Sequence, residues 1–119
     1  MTRYRISHAA ASDIIDILTW SQDRFGHEAR TRYERLIATA IRDNAADPKR
    51  PGSFERPELG DGVRSWHLRG SRDHTAGPVV RRPRHILISR RDGDILVIGR
   101  VLHDVMELRH HVASDTSWR

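Results

Sequence analysis

The sequence predicts an α+β domain. An N-terminal strand and an antiparallel helix hairpin pack on a twisted antiparallel sheet of three to four strands, and a short C-terminal helix closes the chain. Three observations carry this expectation. Apolar residues from Ala10 to Ala40 recur at helical spacing, interrupted at Gly26. Apart from a short run at residues 4–7, strand-like patterns fall only after residue 62. Asp92-Gly93 then separates the last two such runs, and this dipeptide favours the positive φ of a tight hairpin. Helices and strands are segregated along the chain, as in a layered α+β domain.

Taken in order, Tyr4 to Ser7 is a candidate strand, and Ser7 is placed to cap a helix starting near His8. Ala10, Ile14, Ile17, Leu18 and Phe25 share one stripe of that helix. Asp13 and Asp16 lie off it, in early turns where carboxylates favour the helix dipole. Gly26 supplies a C-terminal stop. A second helix starts near His27 with Ala29, Tyr33, Leu36, Ile37 and Ala40 on one side, and Pro48 ends it. So short a connection implies an antiparallel pair whose stripes need a sheet to cover them.

Residues 47–62 hold three prolines and three glycines and read as a loop without regular structure. Val63 to Leu68 reads as a strand with Trp66 and Leu68 on one face. Residues 70–83 form a polar excursion, and His85 to Arg90 resumes strand character. Ile95 to Leu102 is almost continuously apolar and β-branched, the mark of a central strand covered on both faces. Asp104 is placed to cap a helix reaching about His111. A single domain over 1–112 and a flexible tail over 113–119 follow.

Composition narrows the function classes. Among 119 residues there is no cysteine, which removes disulfides and thiolate metal sites and fits a reducing cytoplasm. No apolar run is long enough for a signal peptide or membrane span, so no membrane association is expected. The net charge of +5 favours acidic partners, and Lys49 is the only lysine. Arginines at 24–43 alternate with acids, as on a solvated helix face; the sharpest basic cluster is Arg81, Arg82 and Arg84.

The most specific segment runs Arg100-Val101-Leu102-His103-Asp104-Val105-Met106-Glu107-Leu108-Arg109-His110. Arg100, inside an apolar strand, must sit at the edge of the buried region or meet a carboxylate, and Glu107 is the expected partner. The bland reading is that this pair pins the last helix to the sheet. Met106 has an equally plain reading as core packing.

In this segment the chain resembles ParE toxins of the RelE/ParE type II toxin–antitoxin family. That family closes on Arg-Val-Leu-His, two variable residues, Met-Asp, two more and Arg-His; Glu107 here replaces the aspartate. Asp13, Phe25-Gly26, Ala29, Tyr33, Pro48 and Gly62-Val63-Arg64-Ser65 extend the likeness over about residues 3–111. The resemblance implies a toxin that inhibits DNA gyrase by protein binding and is neutralised by a ParD-like antitoxin, with DNA reached only through the antitoxin. It marks Arg100, His103, Met106, Arg109 and His110 as partner-contacting or toxicity residues, with Arg64, Arg84 and Glu107 behind them. The 70–83 excursion is longer than the family's turn, and Ser89 stands where an aromatic is common.

The alternative is RelE-like, ribosome-dependent cleavage of messenger RNA, which needs groups to activate a 2′-hydroxyl and neutralise a phosphorane. Tyr4 and Tyr33 both precede the sheet and no lysine follows Lys49, so the usual nuclease set is incomplete, although Arg64, Arg84, Arg100, His103 and His110 offer a substitute. His67 and His85 read as surface or hydrogen-bonded histidines. Adjacent His110 and His111 point apart on a helix, so no metal is expected, and no cofactor or catalytic residue is assigned. Direct DNA binding lacks a helix-turn-helix or basic region. An acidic antitoxin tail instead suits the arginines, anchored by apolar residues at the hairpin and sheet edge.

Overall fold

The computed structural model describes residues 3–113 and 115–119; Met1 and Thr2 of the expected domain and Ser114 of the expected tail lie outside the described residues. The order is β1 (Tyr4–Ile6), α1 (His8–Phe25), α2 (His27–Ala46), β2 (Ser53–Glu55), β3 (Arg64–His67), β4 (His85–Asp92) and β5 (Ile95–His103). Ser7 starts α1 as the sequence predicts: its Oγ accepts the Ala10 N–H at 3.0 Å and donates to the Gly99 carbonyl at 2.9 Å. One buried hydroxyl therefore caps the helix and ties it to β5. Gly26, with φ of 92°, ends α1 and begins α2.

The strands form one sheet of order β1-β5-β4-β3-β2. The expected fold class holds, but the sheet has five strands and is mixed, because β1 runs parallel to β5. The added strand is β2, inside the segment that reads as irregular. Ser53, Phe54 and Glu55 pair with Trp66, Ser65 and Arg64. Arg64 reinforces the pairing by donating to Ser53 Oγ at 2.8 Å and to the Ser53 carbonyl at 3.0 Å. Three residues between Gly52 and Pro57 have no local pattern to reveal a strand; tertiary pairing makes it.

As expected, β5 is covered on both faces. Leu96, Ile98 and Val101 join Leu18, Leu36, Ile37, Ala40, Trp66 and Leu68 in a core under the helices. Val97 and Leu102 join Leu59, Val63, Ile88 and Trp118 in a smaller core on the opposite face. The turn into β5 is Gly93-Asp94 rather than Asp92-Gly93: Asp92 pairs with Ile95, and Gly93 alone takes positive φ, at 63°. A positive φ at only the first central position matches the hairpin turn that places glycine there.

Two expectations about the C-terminus are corrected. Past β5 the only helical turns among the described residues are 3-10 pieces at Leu108–His110 and Thr116–Trp118, so Asp104 caps no helix. The segment expected as a flexible tail returns to the sheet, where Trp118 is only 5% exposed. A register shift in β5 opposite Ile88 and Ser89 leaves Gly99 without a partner, and a Cβ there would lie 2.5 Å from the Trp118 ring. The bulge thus admits an indole that a flat strand would repel. Arg90 stacks on that ring at 4.4 Å, and Arg5 donates to the Trp118 carbonyl at 2.7 Å. Burial of so large an aromatic outweighs the entropy of ordering a few terminal residues.

Candidate functional site

A groove of about 800 Å³ lies between the helix hairpin, the loop at 78–84 and the end of β5. Asp43 on α2 holds the preceding stretch of the excursion in place. It accepts from Ser71 Oγ at 2.7 Å and meets His74 Nδ1 at 2.8 Å, while Ser71 Oγ also accepts the Trp66 indole N–H at 3.0 Å. The stretch at 71–74, which precedes the lining loop, is therefore tied to α2.

Apolar surface is displayed along the groove. Phe25, expected on the core stripe of α1, is 66% exposed and stacks edge-on against Trp20 with ring centroids 5.6 Å apart. Met106, read as core packing, is 43% exposed and also lines the groove.

At the groove floor, β4 and β5 place His85 opposite His103, with ring centroids 5.2 Å apart. Tyr33 reaches the same place from α2. Its hydroxyl accepts the Arg84 N–H at 3.1 Å and is hydrogen-bonded to His85 Nδ1 at 2.5 Å. Burial, reinforced by neighbouring His103, pushes the His85 pKa down to about 4; burial pushes that of Tyr33 up to about 12. Both groups are neutral at neutral pH.

Beside them, Asp104 is met by two imidazoles and one guanidinium. His67 Nε2 lies 3.0 Å from it, Arg84 donates from Nε and Nη2 at 3.3 Å, and His103 Nδ1 is 3.4 Å away. The bond from His67 comes first in holding the Asp104 carboxyl below the usual range. His67 and His85 are thus hydrogen-bonded, and Tyr33 sits at the sheet although it precedes it in the chain.

Arg100 finds a carboxylate, but not the expected one. Its Nε and Nη2 donate to Asp13 at 2.7 and 2.9 Å, and the Val101 N–H donates to the same carboxylate at 3.0 Å. The Asp13 hydrogen bond raises the Arg100 pKa above its ordinary value. Arg100 also donates from Nη1 to the His111 carbonyl. Asp13 lies beyond the first turn of α1, which contains no acid, so it serves as this acceptor rather than as a dipole partner. Glu107 instead pairs locally with Arg109 at 2.9 Å and His110 at 3.8 Å, and both partners are exposed.

The candidate residues therefore divide by place. His103, Met106 and Arg84 line the groove; Arg109, His110 and Glu107 form an exposed turn; Arg100 braces that turn from beneath. Arg64 lies apart, holding β2. Trp20, Tyr33, His85 and Asp13 were not singled out as site residues. The available signals were a tryptophan off the apolar stripe and a tyrosine and histidine whose meeting only long-range pairing produces. Among the described residues, no group of three or more His, Asp or Glu is placed to hold a metal, and no helix is long and apolar enough to cross a membrane.

The chain is thus a helix hairpin on one face of a small mixed sheet, with the last strand leading into an arginine-braced turn. A solved structure described as "Chromosomal ParDE TA system from P. aeruginosa" matches with a TM-score of 0.64 and 17% identity, covering 87% of this chain and 96% of that one. That likeness concerns the fold. The family model described as ParE toxin of type II toxin-antitoxin system, parDE, matches residues 4–108, and the chain belongs to that family. No curated protein matches the chain.

Proposed function

We propose that this ParE toxin acts in the cytoplasm by gripping DNA gyrase without making or breaking bonds, and that a ParD-like antitoxin holds it inactive. The observation that carries this reading is the Asp13–Arg100–His111 brace. It fixes the chain after β5 to α1 and leaves Arg109 and His110 exposed on a held turn. A preorganised charged edge spends little entropy on docking, which suits a binder. Exposed arginines and the apolar groove suit an acidic antitoxin segment, whose attraction weakens with salt. DNA is then contacted through the antitoxin.

The deciding experiment runs purified toxin in a gyrase supercoiling assay beside ribosome-dependent cleavage of a message. Loss of supercoiling with intact message is expected; cleavage with unaffected gyrase refutes the reading. Arg109→Ala with His110→Ala is expected to relieve the inhibition without unfolding the protein.

A second reading, messenger RNA cleavage, is favoured by one observation: Tyr33, His85, His103 and Arg84 converge in an open groove. Imidazole and guanidinium groups so placed are suited to proton transfer and phosphate stabilisation. Under that reading Tyr33→Phe and His103→Ala abolish cleavage, whereas gyrase inhibition is insensitive to both.

A further inference from the structure

We infer that Trp118, with Ser117 beside it, is a positioning residue: it clamps the far end of the turn that carries Arg109 and His110, and so holds that turn for its target without touching the target. On the reading of that turn as the gripping edge, on which this inference rests, Trp118 is the second of its two anchors. The Asp13–Arg100 brace secures one point of the segment, the His111 carbonyl. Between β5 and that point the chain forms a single three-residue 3-10 turn, Leu108–His110, and so short a turn does not keep its shape unaided. Its hydrogen bonds are local: the His110 N–H donates to the Glu107 carbonyl at 3.1 Å, and the His111 and Val112 N–H groups donate to the Leu108 carbonyl at 3.0 and 3.1 Å.

Packing supplies the second anchor. Leu108 and Val112, which flank the exposed residues, are partly buried against the small core that contains Trp118. Just past Val112 the Ala113 N–H donates to Ser117 Oγ at 2.9 Å, and Ser117 is itself only 2% exposed. The chain is thus folded back onto Trp118 immediately after the turn. The indole is in turn fixed from three strands: the Gly99 bulge of β5 receives it, Arg90 of β4 stacks on it, and Arg5 of β1 donates to the Trp118 carbonyl. Burial of the ring alone would need neither guanidinium; together they fix the backbone as well as the ring. Loss of the indole frees Leu108 and Val112 while the Arg100 bond to His111 persists, so the turn opens locally rather than with the whole domain.

Amide hydrogen exchange of the purified toxin reads the turn without any target. In Trp118→Ala the amides of His110, His111 and Val112 are expected to exchange at least about tenfold faster than in the parent. Inhibition of gyrase supercoiling, measured well below the melting transition, should weaken by at least about tenfold in the same variant. Ile41→Val lowers stability from the other core, under the helices, and is expected to leave both the three amides and the inhibition unchanged. Trp118→Phe, whose smaller ring still enters the bulge, should restore most of what Trp118→Ala loses.

Protection of the turn that survives Trp118→Ala, or that is already absent from the parent, overturns the inference. So does a loosened turn with undiminished inhibition, or an Ile41→Val protein that reproduces both losses. A parent inert toward gyrase refutes the functional reading instead, and the exchange comparison then decides alone whether Trp118 holds the turn.

Discussion

Replacing Asp13 by asparagine tests whether the closing segment is braced from α1. The carboxylate accepts two bonds from Arg100 and one from the Val101 N–H, and the two side chains are only 15% and 22% exposed. Asparagine keeps one carbonyl oxygen but removes the charge and turns two N–H groups toward a guanidinium that also only donates. Removing one partner of a buried pair costs about 3–5 kcal/mol, and the solvent still touching this pair reduces the expectation to about 2 kcal/mol. For a chain of this size the unfolding entropy is about 0.25 kcal/mol/K, so the melting temperature should fall by about 8 °C.

Thermal and urea unfolding followed by circular dichroism measure the loss. A double-mutant cycle with Arg100→Met isolates the pair, and the double variant should be less destabilised than the two single losses added together. An Asp13→Asn protein within about 0.5 kcal/mol of the parent, or strict additivity in the cycle, would refute the brace. Toxicity should fall with the brace even below the melting transition, because the turn bearing Arg109 and His110 loses its anchor.

Three further outcomes follow from the packing. The His85 pKa of about 4 lies below its unfolded 6.5, so its contribution is whole above pH 6.5 and is lost as pH falls to 4. For a ring still partly in solvent this loss is about 2 kcal/mol, and His85→Gln should flatten that part of the stability–pH curve. Gly99→Ala should cost about 1–3 kcal/mol by forcing the Trp118 indole off the bulge, and the penalty should nearly vanish in a Trp118→Ala background; an undiminished penalty there would mean that the ring is not what requires glycine. Tyr33→Phe leaves His85 Nδ1 and the Arg84 N–H without their partner and should cost about 1–2 kcal/mol in denaturant unfolding, so an unchanged midpoint would count against the observed network.

Much of the fold was legible because its signals are local. Ser7 and Gly26 bound α1 through their own side-chain and backbone chemistry, and the periodic stripes of both helices name most of the core beneath them. The β-branched run at Ile95–Leu102 reveals a strand buried on both faces for the same reason: its composition suits nothing else. The family motif likewise is a matter of residues in order, so the toxin class is carried by the sequence itself.

What the chain order could not convey is which distant groups meet. Arg100 needed a carboxylate, yet Glu107, the neighbour in sequence, lost to Asp13, 87 residues away, because the parallel pairing of β1 brings the start of α1 beside the end of β5. Tyr33 and His85, 52 residues apart, meet only once α2 lies on the sheet. Trp118 is held by a bulge whose pairing partners are on β4. Residue order alone conveyed the two helices, the longer strands, the class and the need of each buried charge for a partner, since these depend on side-chain chemistry and local periodicity. Tertiary structure alone decided the partners, the docked C-terminus and the groove, because long-range contacts are chosen by the free energy of the whole packed chain rather than by nearness along it.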